Sequence, residues 1–277
     1  NHSTTFDQVL VIPAWQNQFG QGSVGEWEYV DGKGGGINDS EDLSWGPAFG
    51  TGTYSQFDGP SQGIVNGELV TVRGGDVLAR DPEGDGTMNY PITPTEWNAR
   101  ENNVKDFFET GLTMSNTIAV RGSNDAGQFR LAYTNLFSNG VIPNNDLDRN
   151  TITLNAGYNL TKKLKANATV SYIDNKVSNR PGMGYGSENP MYVFAWYGRQ
   201  LDTKAMKDYW QINQEDVAQY NYNYAWHDNP YINAFENTNS TEKNRVLGNV
   251  SLTYNITNEL SVMIRSGLDN FSDRRVS

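Results

Sequence analysis

Residues 152–172 read ITLNAGYNLTKKLKANATVSY, and apolar side chains alternate with polar ones almost without a slip. Ile152, Leu154, Ala156 and Tyr158 share one parity; after the break, Leu164, Ala166, Ala168, Val170 and Tyr172 do the same. Thr153, Asn155, Gly157, Lys165, Asn167, Thr169 and Ser171 fall between them. A period of two is a strand period, because successive side chains of an extended chain point to opposite faces. Two antiparallel strands joined by the short turn 160–163 are therefore predicted. Which of their faces meets water decides what the protein is.

The same period extends outward. It predicts strands over Leu112–Gly122, Gln128–Phe137, Arg149–Asn159, Leu164–Ile173, Arg245–Asn255 and Leu260–Asp269. Their apolar parity carries Met114, Ile118, Val120, Phe129, Leu131, Tyr133, Phe137, Val246, Val250, Leu252, Tyr254, Leu260, Val262, Ile264 and Leu268. The exceptions, Asn116, Asn135, Gly248 and Ser266, are uncharged; the charges Arg121, Arg130, Lys165, Arg265 and Asp269 sit on the other parity. Short turns at 123–127, 160–163 and 256–259 alternate with longer connections at 138–148 and 175–244. With the first dozen residues (Phe6, Leu10 and Ile12 on one parity, stopped by Pro13) taken as a strand, this is an up-and-down meander. Short turns gather at one end and long loops at the other, the layout of an outer-membrane barrel.

Composition narrows the function classes. A net charge of −11 argues against nucleic acid, which needs a basic footprint. With no cysteine, disulfides and thiolate chemistry are out. The stretch NHSTTFDQVLVIP lacks the form of a signal peptide, and no apolar run reaches the length of a membrane helix. Membrane strands, only ~9–11 residues long, escape that test.

A soluble β-sandwich also alternates with period two. Its wet face normally carries many Lys and Glu, whereas this polar parity is mostly Thr, Asn, Ser and Gly. The predicted strands are long for a soluble sheet, and the apolar parity lacks the charges that lipid rejects. The expected fold is thus all-β, antiparallel and up-and-down, part of a transmembrane barrel whose apolar parity faces lipid. A soluble β-sandwich carbohydrate-binding module is the alternative. The expected organisation is an outer loop at 14–110, barrel strands at 111–174, a large outer loop at 175–244 and barrel strands at 245–271.

The run NNVKDFFETGLTMSNTIAVRGSNDAGQFRLAYTNLFSNGVIPNNDLDRNTITLNAGYNLTKKLKANATVSYIDNKVSNRP (102–181) resembles the SusC/RagA family of TonB-dependent outer-membrane transporters of Bacteroidetes. LSWGP (43–47), ENPMYVFAW (188–196) and HDNPYINAFENTNSTEKNRVLGNVSLTYNITNELSVMIRSGLDNFSDRR (227–275) extend the resemblance. It implies a barrel of roughly 22 strands, a size that leaves a plugged lumen. It also implies a plug domain, engagement of the TonB complex through that plug, and a SusD-like surface lipoprotein as lid. The location implied is the bacterial outer membrane, the task uptake of a glycan or peptide. The sequence contains no counterpart of the plug, so the expectation is a central barrel segment of a longer transporter.

Candidate ligand contacts follow from aromatic density. The large loop holds YVFAWYG, DYWQI and QYNYNYAWHDNPY. Rings interleaved with Asn, Gln and Asp suit sugar faces or peptide side chains. This singles out Tyr192, Trp196, Tyr197, Trp210, Trp226 and Tyr231, against the plainer reading that the rings pack the loop's own core. Arg121, Arg130, Lys165 and Arg265 are expected to face the lumen. Tyr133, Phe137, Tyr158, Tyr172 and Tyr254 are expected to form girdles at headgroup level, and DTKAMKDYW is expected to be a short helix capped by Asp202.

Other motifs weigh less. Asp81, Glu83 and Asp85 in DPEGDG have the one-three-five spacing of a calcium loop with Gly86 at six, but Ile92 stands at twelve where a bidentate Glu belongs. An acidic turn is the plainer account. GQGSVG (20–25) matches a dinucleotide fingerprint by letters only, since Pro13 interrupts the approaching strand and no helical pattern follows. His2 and His227 are not spaced as metal ligands, and no nucleophile elbow occurs. No enzyme and no obligatory cofactor are expected.

Overall fold

A computed structural model describes residues 2–7, 13–27, 42–74, 76, 92–223 and 226–277. The strands, in chain order, are β1 (His2–Asp7), β2 (Thr53–Tyr54), β3 (Pro60–Val65), β4 (Glu68–Arg73), β5 (Thr95–Glu96), β6 (Gly111–Asn124), β7 (Gly127–Asn139), β8 (Asp146–Asn159), β9 (Leu164–Val177), β10 (Ser240–Asn255) and β11 (Ser261–Val276). Among the described residues the two short α-helices are α1 (Pro190–Ala195) and α2 (Pro230–Phe235). The chain divides into two units: 1–8, 110–180 and 238–277 form one, 9–109 and 181–237 the other.

The first unit is a seven-stranded antiparallel sheet in the order β1-β6-β7-β8-β9-β10-β11. Its up-and-down course matches the sequence reading. The strands run 13–16 residues from β6 onward, longer than the alternation predicted. The predicted loop 138–148 contracts because Asn139 pairs with Asp146, and the large loop starts after Val177 and ends at Ser240. The reason is chemical. Beyond the apolar positions the strands carry Asn, Asp, Lys and Glu, so the periodic signal fades while the backbone ladder continues. Each short turn is pinned by a side chain: Asn124 Oδ1 accepts from the Ala126 and Gly127 amides, at 3.0 and 2.9 Å. Thr161 Oγ1 receives the Lys163 and Leu164 amides, and Thr257 Oγ1 those of Glu259 and Leu260. Such local bonds fix hairpin register.

Register places every apolar residue of the sequence pattern on one face. One row runs Ile118–Tyr133–Ile152–Tyr172–Val246, the next Val120–Leu131–Leu154–Val170–Gly248–Leu268. Then come Gly122–Phe129–Ala156–Ala168–Val250–Ser266, and finally Tyr158–Ala166–Leu252–Ile264 and Leu164–Tyr254–Val262. No charge interrupts these rows. Ile118 is 74% exposed, Val120 61% and Ile264 70%. A sandwich would bury this face beneath a second sheet. Among the described residues the remaining sheets are the two-stranded pairs β2-β5 and β3-β4, and the face stays bare.

The second unit folds the stretch that lost its period in the sequence. Its hairpin β3-β4 turns through Asn66 and Gly67, at φ 53° and 83°, the two positive values that a type I′ turn requires. Trp97 is fully buried. Its indole N–H donates to the Pro47 carbonyl at 2.9 Å, and its ring meets Trp27, Phe49 and Tyr54 at centroid distances of 5.5, 5.8 and 5.1 Å. Gly20 closes this cluster: a β-carbon there would fall 2.2 Å from the indole. The glycine in GQGSVG thus serves close packing, and no helix follows it among the described residues. A second cluster gathers Phe107, Phe194, Tyr197, Tyr222 and Tyr231, with ring centroids 5.0–5.3 Å apart. Helices α1 and α2 start alike: Asn189 and Asn229 accept from the amides of Met191 and Tyr231, and proline follows each cap. The predicted helix after Asp202 shrinks to a single 3-10 turn, Ala205–Lys207, although Asp202 does accept from the Lys204 amide at 2.9 Å.

Candidate functional site

Three surfaces carry chemistry. The first is the apolar face of the sheet. Between Tyr172 and Leu164 on β9 lie eight residue steps, and between Val246 and Tyr254 on β10 another eight. At ~3.3 Å per residue each spans ~26 Å, close to the ~25 Å apolar band of a membrane barrel. At one margin the tyrosines turn their hydroxyls out of the band. Tyr133 donates to Asn150 Oδ1 at 2.6 Å and Tyr172 to Asn244 Oδ1 at 2.7 Å. Those acceptors lie in a polar row, Asn116–Asn135–Asn150–Asp174–Asn244. Tyr158 and Tyr254 mark the opposite margin. Phe137 does not fit the expected girdle: it pairs with Met114 and Asp148, one row beyond the asparagines, and from Asp148 the row continues through Lys176 to Glu242. The face is charge-free only within the band.

The second surface is the opposite, polar face of the same sheet, where Arg121, Arg130, Lys165 and Arg265 all lie exposed. Arg121 and Arg130 are register partners and share a row with Asn155, Thr169 and Asn249. Arg265 pairs with Ser251 in the next row, and Lys165 with Thr253 in the one after. The four expected lumen residues therefore share a face without converging on one point.

The third is a cleft of about 450 Å³ in the second unit, lined by Gln56, Asp58, Thr95, Glu96, Asn98, Arg100 and Gln200. Arg100 organises it. Its guanidinium reaches Asp58 at 3.4 Å and Asp202 at 3.1 Å, and donates to the Gln200 carbonyl at 3.0 Å. Asn98 donates to Glu96 at 3.0 Å. Burial holds the Asp58 carboxyl above its ordinary range; Arg100 opposes this and Asp202 adds to it. A buried carboxyl beside a guanidinium in a cleft makes this a candidate site. Carboxylates, carboxamides and a guanidinium facing one space suit a ligand rich in hydroxyls. The sequence reading missed this cleft, because its residues come from three stretches (56–59, 95–100 and 200) with no shared pattern.

The shift gives a signed expectation. An acid whose folded pKa is raised holds its proton more tightly in the fold. The stability linked to Asp58 is therefore full below 3.8 and lost as pH rises through the raised value. The variant Asp58→Asn escapes that loss. It is expected to melt higher than the parent at neutral pH, with the two melting temperatures converging once the pH falls below ~3.5. A parent more stable than the variant at neutral pH would mean that the Arg100 pairing outweighs burial.

The aromatic candidates do not form one site. Tyr197 and Tyr231 are buried, at 1% and 4% exposure, and belong to the second unit's core; the ring density there was a packing signal. Burial lifts the Tyr231 phenol to about 12. Tyr192 is half-buried against Tyr185 at 4.5 Å, and Trp210 packs beside Tyr209 at 5.5 Å. Trp196 caps α1. Trp226 is 62% exposed and is the most accessible ring of the six. Asp81, Glu83 and Asp85 lie outside the described residues. Among those described, no group of three potential ligands is placed to hold a metal ion. No family model matches the chain, and no curated protein matches it in sequence.

Proposed function

We propose that the seven-stranded sheet is part of the wall of an outer-membrane β-barrel. On this reading its apolar face meets lipid and its polar face the lumen, and the protein works as a SusC-like TonB-dependent importer. The observation that carries it is the bare apolar face: charge-free over ~26 Å and closed at one margin by tyrosines that aim their hydroxyls at asparagine. In water, such a face would expose far more contiguous apolar surface than soluble proteins tolerate. The strands also continue as paired ladder past the band on the long-loop side, as a wall does where it emerges from lipid. The edges β1 and β11 carry backbone groups that lipid does not satisfy, so further strands pair with them.

The second unit is then the ligand-gathering part, and the cleft around Asp58 and Arg100 takes hydroxyl-rich cargo such as a glycan. A SusD-like lipoprotein lid and coupling to the TonB complex through a plug belong to the same reading and rest on the sequence resemblance alone. The β-sandwich module finds no support in the bare face. Fractionation tests the two. The native protein is expected in the outer-membrane fraction and to leave it only with detergent; recovery as an aqueous monomer would sink the barrel reading.

A further inference from the structure

Arg121 and Arg130 stand directly opposite each other across the β6-β7 pair. Like charges in that position repel, so an anion held between them relieves the repulsion. Elsewhere on this sheet Arg245 forks onto Asp269 and Arg275 onto Asp273, while Arg149 donates to Asn175 Oδ1. Arg121 and Arg130 have no carboxylate within 4 Å among the described residues. They open instead onto a groove of about 770 Å³, lined further by Gln128, Asn155, Asn167 and Thr169 and by no acid. In a chain of net charge −11, an acid-free groove holding two guanidiniums is a departure from the average surface.

The neighbouring side chains make the room and set the donors. The row on one side holds Ala119 and Ala132, too short to cover the guanidiniums. In the row on the other side, Gly157 lies between Gln128 and Asn167 and adds no side chain of its own. The Thr169 hydroxyl donates to Asn155 Oδ1 at 3.1 Å. That occupies the acceptor of the Asn155 amide and leaves its N–H groups free to donate. The groove therefore presents two guanidiniums and the Asn155 amide N–H groups as donors, beside the carboxamides of Gln128 and Asn167.

We propose that Arg121 and Arg130, with Asn155, form a two-pronged binding site for an oxyanion: a carboxylate, phosphate or sulfate group gripped between the two guanidiniums. Facing forks suit the paired oxygens of such groups, and one anion removes the repulsion between the arginines while taking up their N–H donors. The volume fits a small anionic ligand or an acidic side chain. The site does not depend on the membrane reading, because it lies on the face opposite the apolar one whatever wets that face.

The test titrates sodium sulfate and inorganic phosphate into the native protein by calorimetry, with chloride holding ionic strength constant. The parent is compared with Arg121→Gln, Arg130→Gln and, as a control on the same face in another row, Arg265→Gln. Melting temperatures are read without added anion. A free oxyanion ligand gives saturable binding, weakened about 10- to 100-fold by either of the first two changes and not by the third. An oxyanion supplied by a protein carboxylate gives no binding of the added salts, but both changes lower the melting temperature. Either result supports the site. Salt binding that ignores the two changes, or that Arg265→Gln weakens equally, overturns it. So does an absence of salt binding with melting temperatures unchanged or raised.

Discussion

The change Val250→Arg is expected to destabilise the membrane-inserted protein by about 2–4 kcal/mol, whereas Asn249→Arg, one residue away, is expected to leave it within about 0.5 kcal/mol of the parent. Val250 lies on β10 midway between Val246 and Tyr254, in the third of the apolar rows, half exposed and flanked by Ala168 and Ser266. If the band is ~26 Å tall, that row is at its middle, where a cation is farthest from headgroups and costs most. Asn249 points to the opposite face, beside Thr169 and Gly267, where water or a polar partner receives the new charge. The same substitution at Tyr172, in the marginal row, should cost only about 0–1 kcal/mol, because its hydroxyl already touches Asn244. Reversible unfolding in lipid vesicles measures all three. An equal, small effect at 249 and 250 would mean that both faces meet water, and would remove the lipid from the account.

That contrast of neighbours was legible before any coordinates, since period two assigns Val250 and Asn249 to opposite faces and the β10 register agrees. Strand ends were not. Alternation reports an apolar face, so it falls silent at Asn139, Asp146, Asp174 and Asn244, where the ladder runs on into polar surroundings. In the second unit the legible signals were local and were passed over. Asn66-Gly67 between GIV and ELV is a type I′ hairpin signature, and Asn189-Pro190 and Asn229-Pro230 each place a cap before proline. The fate of the aromatic rings was not legible at all. Tyr197 and Trp226 sit in similar company of tyrosine and asparagine, yet one is core and the other surface. Only long-range packing distinguishes them, and composition carries no record of it. The Asp58–Arg100–Asp202 cleft was hidden for the same reason.

Trp97→Ala shows what that packing is worth. The ring is fully buried among Trp27, Phe49 and Tyr54, with its N–H held by the Pro47 carbonyl. The strands on either side of it contribute backbone bonds rather than bulk: β2 and β5 are two residues each, and Trp97 itself bonds Gly52 and Gly50 through its amide and carbonyl. Little else fills this corner of the second unit. Removal of a ring of this size costs about 3–5 kcal/mol, and here the neighbours cannot collapse inward without moving Gly20, whose Cα already lies against the indole. The loss should be local. Proteolysis is expected to open the stretches 15–27 and 42–60 in Trp97→Ala, with β6 to β11 still protected, because that sheet is held by its own ladder. Trp45→Ala is the internal control: its ring is 66% exposed, and its loss should leave the proteolysis pattern unchanged. If both variants opened equally, the stretches 15–27 and 42–60 would be held by a surface contact at Trp45 and not by a core around Trp97. The polar cleft stands on the same support. Glu96 and Asn98 flank Trp97 in sequence, so a ring that anchors the chain there also sets the distance between those side chains and Arg100. The variant should therefore lose whatever ligand the cleft holds, even under conditions where the sheet remains folded.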